Sequence, residues 1–197
     1  MVFLRVLVDE LDAAIVDTAD REVVAVHVGG TRVDDDYADL SVSGGVYGHE
    51  GRSDHRIWVN QMPLRIGQTV VVELLEHGVG TGPGQTLEEL YPDHKPEPSP
   101  ASISRAELFD DLRRFPQLRS GYTVCLVPND GNPITLVTTS AEHGFGFSAL
   151  WNNLHPHRLS VSLHSYTIDS VEAEIPGRDA YRGKLELGSN VRLQLVA

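Results

Sequence analysis

Two twelve-residue stretches of this chain share one frame. Residues 64–75 read LRIGQTVVVELL and residues 185–196 read LELGSNVRLQLV. Both run Leu, x, aliphatic, Gly, x, x, Val, x, aliphatic, x, Leu, aliphatic, at an offset of 121 residues. A second pair lies upstream, LSVS at 40–43 and again at 159–162, at an offset of 119. The blocks come in the same order, with first leucines 24 residues apart in one half and 26 in the other. One β unit used twice accounts for both pairs and constrains the fold more than any single motif does.

Within each frame a turn leads into a strand. Gly67 and Gly188 stand where a tight turn calls for positive φ. Val70, Val72 and Leu74 then alternate with Val71 and Glu73, as Val191, Leu193 and Leu195 alternate with Arg192 and Gln194. Leu40 and Val42 alternate with Ser41 and Ser43; Leu159, Val161 and Leu163 alternate with Ser160, Ser162 and His164. Period-two alternation marks antiparallel strands with one dry face. Further strands are expected over 2–8, 13–18, 23–28, 57–59, 122–127, 134–139 and 167–175, with a hairpin turn centred on Asp130-Gly131. The expected class is mainly β: two similar antiparallel β-sandwich-like units with one linking helix.

Composition divides the chain into an acidic β unit at 1–77, a Gly/Pro-rich linker at 78–103, and a helix plus second β unit at 104–197. Residues 78–100 hold four glycines and five prolines, which excludes a regular strand or a long helix. Gly78, Gly80, Gly82 and Gly84 read as a flexible connector. Thr86 and Glu89 have capping-box spacing, enough for one helical turn. Residues 92–100 read as extended and polyproline-like. The strongest helix spans 104–115: Ser104 caps it, Glu107 completes a capping box, and Pro116 ends it. Leu108, Phe109, Leu112 and Phe115 share one face, so the helix is expected to dock on a β unit. Trp151 lies in 147–154, which reads as one or two helical turns; both it and Trp58 are expected in the core.

The chain carries 28 acidic and 16 basic residues, a formal net charge of −12. Such an excess argues against nucleic acid or an anionic membrane as a partner, because binding phosphates needs a positive field. The charge is unevenly placed. Residues 1–98 hold 18 acids and 7 bases, net −11; residues 99–197 hold 10 acids and 9 bases, net −1. The single cysteine, Cys125, allows no intramolecular disulfide and reads as a small strand hydrophobe. Arg5, Asp9, Glu10 and Asp12 interrupt the amino-terminal apolar stretch, which speaks against a secretory signal. No apolar run approaches the ~20 residues of a membrane span. A cytoplasmic protein is expected.

Catalytic signatures are scarce. The chain has no nucleophile elbow, phosphate-binding loop, dinucleotide fingerprint or paired-histidine zinc motif, and no cofactor is called for. His155-Pro156-His157 has ligand-like spacing, and His164 with Trp151 completes a candidate ligand site between the halves. Solvated or hydrogen-bonded histidines are the simpler reading, and no metal is assigned. His27 reads as a half-exposed strand residue. Asp34, Asp35, Asp36 and Asp39, with Glu50 and Asp54, form a candidate acidic surface in the first half; a solvated loop is its bland counterpart.

The order HVGG (27–30), IWVN (57–60), LRIGQTVVVELLE (64–76) and a proline-containing tail resembles a loose set of uncharacterised bacterial β-rich proteins. In them a tryptophan precedes an L-x-x-G-x-x-V strand. The resemblance covers the first half, implies a bacterial origin, and carries no activity or functional residue.

Acidity without catalytic motifs suggests a non-enzymatic protein-binding module of the inhibitor or immunity type. It would hold a basic, toxin-like partner through Asp34, Asp35, Asp36, Asp39, Glu50 and Asp54. The alternative is a small-ligand or metal-dependent enzyme using Trp151, His155, His157 and His164.

Overall fold

The computed structural model describes residues 1–48, 53–93, 104–129 and 131–196. Two six-stranded antiparallel sheets enclose one hydrophobic core. In chain order the elements are β1 (Phe3–Val8), β2 (Leu11–Asp17), β3 (Val23–Thr31), β4 (Ala38–Tyr47), β5 (Ser53–Leu64), β6 (Thr69–Leu75), α1 (Leu87–Leu90), α2 (Arg105–Arg114), β7 (Thr123–Pro128), β8 (Ile134–Val137), β9 (Gly144–Asn152), β10 (Arg158–Tyr166), α3 (Ile168–Glu172), β11 (Arg178–Glu186) and β12 (Asn190–Leu195).

The first sheet runs β2-β1-β6-β12-β7-β8 and the second β11-β10-β9-β3-β4-β5. Replacing each strand of one half by the strand six places along reproduces both orders in reverse. The two halves are therefore related by a pseudo-two-fold axis, and each gives three strands to each sheet. β6 pairs with β12, and β3 with β9, along the seams.

The likeness extends to single hydrogen bonds. Gly67 N–H donates to Leu195 O at 2.7 Å, and Gly188 N–H to Leu74 O at 2.8 Å. Both glycines have the expected positive φ, +91° and +83°. Asp9 and Asn129 share φ near +50° (49° and 50°). The Asp9 carboxylate accepts from Thr69 N–H at 2.9 Å, and the Asn129 amide oxygen from Asn190 N–H at 3.1 Å. Glu22 N–H donates to Gly45 O, and His143 N–H to Tyr166 O. The last pair fixes an offset of 121 across β3, β4, β9 and β10, so the counterpart of Leu40 is Val161. The LSVS match is thus slipped by two residues; alternation hides such a slip because it returns every side chain to the same face.

Inward positions meet across the sandwich: Val24, Val26 and Val28 of β3, Phe145, Phe147 and Trp151 of β9, Val70, Val72 and Leu74 of β6, and Val191, Leu193 and Leu195 of β12 are all buried. Two expectations change here. Residues 147–154 do not form helical turns; most belong to β9, whose period-two burial seats it between β3 and β10. Residues 167–175 hold α3, not a strand, because the Thr167 side chain accepts from Ser170 N–H and starts a helical turn. α2 begins at the expected Ser104 capping box, but Leu108 and Phe115 are exposed and only Phe109 is buried. Arg105 and Arg113 tie α2 to α3 through Glu174, Glu172 and Asp169.

The glycine-rich run is an ordered strap. Thr81 N–H donates to Ile15 O of edge strand β2 at 2.9 Å, and Ile15 N–H donates to Thr81 Oγ1 at 3.1 Å. Gln85 and Ile57 of edge strand β5 exchange two backbone bonds, at 2.8 and 2.9 Å. The Trp58 indole donates to Gly82 O at 3.0 Å. Residues 80–85 thus bridge the two sheets along the open flank of the first half. The proline-rich stretch at 94–100, the Glu50 region and Asp130 lie outside the described residues.

Candidate binding surface

Asp34, Asp35 and Asp36 form the turn between β3 and β4, and Asp39 opens β4. The turn is held by an arginine from the other half. Arg119 donates to the carbonyls of Thr31 (3.0 Å), Asp34 (2.6 Å), Asp35 (3.0 Å) and Asp36 (2.7 Å), and to Tyr122 Oη at 2.9 Å. The Tyr122 hydroxyl in turn donates to Thr31 O at 2.5 Å. Because the guanidinium is spent on carbonyls, it makes no ion pair with the carboxylates; that of Asp34 accepts from the Thr31 hydroxyl at 2.8 Å. Among the described residues, none of these four aspartates has a cation within ion-pair distance. They line a surface depression of about 380 Å³ with Gly29, Ala38 and Gln61.

Electrostatics mark Asp39 in particular. Burial raises its pKa, the Asp34 and Asp36 carboxylates add to the rise, and His27 and the Ser41 hydroxyl oppose it. A cation brought to this depression would relieve that repulsion.

Asp39 begins a row across the outer face of the second sheet. It faces Gly29, which faces Gly146, which faces His164, which faces Asp179. Both histidines lie over the glycines. A Cβ on Gly29 would sit 2.9 Å from His27 Nε2, and one on Gly146 would sit 2.9 Å from His164 Nε2. β9 separates the two histidines' strands, but the His27 ring lies over Gly29 of β3 and the His164 ring over Gly146 of β9, glycines that face each other. Burial against the sheet lowers the pKa of both, with Asp39 pulling His27 back up and Asp179 doing the same for His164. Tyr166 stands over Gly144, and burial pushes its phenol up to about 12.

The rest of the acidic set is placed elsewhere. Asp54 pairs with Arg21 at 3.1 Å and Arg56 at 2.6 Å. It lies opposite Val46, seven residues along β4 from Asp39, or roughly 23 Å at strand rise. Glu50 lies outside the described residues. The histidine set is dispersed too. Trp151 is 2% exposed and points into the core, its indole donating to Pro156 O at 2.9 Å. His155 and His157 are exposed in the turn before β10, and His164 lies on the outer face near the far end of that strand. Among the described residues, no three of His, Cys, Asp and Glu gather closely enough to hold a metal ion.

Sequence reasoning passed over the arginines. Arg32 is 1% exposed and donates to Gln117 Oε1, Ser140 O and Thr139 O, while its buried Nε has no partner. Arg32 and Arg119 thus reach in opposite directions across the halves. No spacing announces either, because their acceptors are mostly main-chain carbonyls, which every residue carries.

Neither family models, curated proteins nor solved structures give a match to this chain. Among the described residues, no helix is long and apolar enough to cross a membrane.

Proposed function

We propose that this chain is a protein-binding module that takes a basic partner at the acidic end of the second sheet's outer face, in the manner of an inhibitor or immunity-type protein directed at a basic toxin. The carrying observation is the group Asp34, Asp35, Asp36 and Asp39, gathered without a cation on a turn fixed by Arg119. A turn ordered before binding loses little entropy on docking, and unpaired carboxylates steer a basic surface toward it. The lopsided charge, net −11 in residues 1–98, supports the half that carries this turn, although that half contributes to both sheets. The outer face brings Asp39 and His27 together, so the reading centres on Asp34–Asp39 and leaves Asp54 to its arginines.

The test is capture from the native host with the intact chain and with a D34N/D35N/D36N/D39N variant, followed by identification of the captured protein. The expected result is a partner with a basic face whose association slows as salt rises and weakens at least about tenfold with the variant. Equal binding by intact chain and variant would sink the reading.

A further inference from the structure

The pseudo-two-fold axis gives the acidic depression a counterpart in the second half. At the offset of 121, Gly29, Asp39 and Gln61 become Leu150, Ser160 and Arg182. Strand pairing agrees: Asp39 faces Pro63 as Ser160 faces Lys184, and Leu40 faces Met62 as Val161 faces Gly183. The counterpart is a depression of about 480 Å³ on the outer face of β9, β10 and β11, lined by the outward side chains of Ser148, Leu150, Ser160, Ser162, Arg182 and Lys184. The fold thus forms the same hollow twice, and the sequence lines the two with opposite chemistry.

Ser160 and Ser162 are the outward residues of the second LSVS block, and with Ser148 they make a floor of hydroxyls. Ser160 faces Lys184 and Ser162 faces Arg182, so two cations stand along the β11 side. Leu150 of β9 faces Ser160 from the other side. Among the described residues the three hydroxyls make no hydrogen bond and Lys184 makes no ion pair. Arg182 meets Asp179 through Nη2 alone, at 3.0 Å, which leaves the rest of its donor fork. The neighbouring Glu186 is held by Arg158 at 3.1 Å. In the first half the chain that follows β6 runs along the flank between β2 and β5 and leaves the acidic hollow uncovered.

We propose that this second hollow binds a small phosphate-bearing ligand, its phosphate over Ser160 and Ser162 between Arg182 and Lys184. Three terminal oxygens let a phosphate group accept from the hydroxyl floor and from both cations at once, whereas a carboxylate has two. Arg182 supplies a directed fork and Lys184 a point charge. The rest of the hollow, over Ser148 and against Leu150, has room for the organic part of a phosphate ester. The acidic hollow lies three strand spacings away, roughly 14 Å, which exceeds the screening length of about 8 Å at physiological salt. Residues 99–197 are themselves near neutral, at net −1. The site is separate from the acidic depression and does not rest on the protein-binding reading.

The test is calorimetric titration of the full chain with phenyl phosphate, inorganic phosphate and benzoate at constant ionic strength, with amide NMR to locate the site. Saturable binding of phosphate is expected, about tenfold tighter than benzoate. Amide shifts should centre on Ser148, Ser160, Ser162 and Lys184. Tighter binding of phenyl phosphate assigns the hollow to an ester; equal or tighter binding of inorganic phosphate assigns it to the free anion. R182Q/K184Q should weaken binding about tenfold and S160A/S162A about threefold. D34N/D35N/D36N/D39N should leave it within about twofold, because those charges lie beyond the screening length. The substituted side chains of the second hollow reach solvent, and circular dichroism checks that each variant folds. No saturable binding of either phosphate, benzoate bound as tightly as phosphate, amide shifts centred elsewhere, or binding indifferent to R182Q/K184Q would each overturn the proposal.

Discussion

Three histidines and one glutamate set how this fold responds to acid. His27, His143 and His164 all have pKa values below the ordinary 6.5, mainly through burial, and His143 also through the Arg32 charge. A base that protonates less readily when folded makes the unfolded chain the better proton acceptor. Its stability contribution is complete above 6.5 and is lost as pH falls from there through the folded value. Glu142 acts lower on the scale. Arg178, Ser165 and Thr139 N–H hold its carboxyl down at about 2. Its contribution is complete above the ordinary 4.5 and is lost as pH falls through about 2. Denaturant titrations should therefore show stability declining in two stages on acidification. H143Q should flatten the first stage. E142Q should shrink the second, to which Asp54, Glu88, Glu107 and Glu174 also contribute, and cost about 2 kcal/mol at neutral pH, a figure discounted for the half-exposed Arg178. A single decline confined below pH about 4 would contradict the histidine assignment.

At the scale of elements, the repeated turn is the sharpest test of the two-fold relation. A Cβ at Gly67 or Gly188 would meet nothing within 4 Å, so alanine there costs only backbone strain at positive φ. G67A and G188A should each lower stability by about 1 kcal/mol and by nearly equal amounts. G44A should cost more, because its Cβ would come 2.4 Å from the Val23 carbonyl. Unequal costs at Gly67 and Gly188, measured by urea denaturation, would separate the two turns. The same elements show where sequence reading works. The alternation of β6 and β12 and the Ser104 cap were legible because each depends on neighbours a few residues away. β9 stands where one or two helical turns are expected: Phe147, Ala149 and Trp151 alternate as a strand needs, and pairing on both sides with β3 and β10 decides for the strand. α3 stands where a strand is expected, because its five residues are set by the Thr167 cap and tertiary contacts with α2, not by periodicity.

For the whole molecule, shared sheets and one core imply one cooperative unit. β6–β12 and β3–β9 pairing removes any boundary at which one half could unfold while the other kept both its sheets. Trp58 reports on the first half and Trp151 on the second, so W58F and W151F variants allow each to be followed alone. Their fluorescence transitions should coincide with each other and with circular dichroism. Two separate midpoints would mean that the seams are weaker than their pairing implies.

By itself the sequence determined a mainly β fold, a repeated turn–strand frame, the inward side of most strands and the acidity of one half. These follow from local chemistry: side-chain alternation, glycine at positive φ, and composition. Only the tertiary structure decided that each sheet takes three strands from each half, that LSVS is out of register by two, that Arg119 holds the acidic turn, and that the glycine-rich run is an ordered strap between edge strands β2 and β5. Alternation has a period of two and cannot tell a strand from the same strand slipped by two. Backbone carbonyls are alike at every residue, so an arginine that binds them leaves no trace in the order of amino acids.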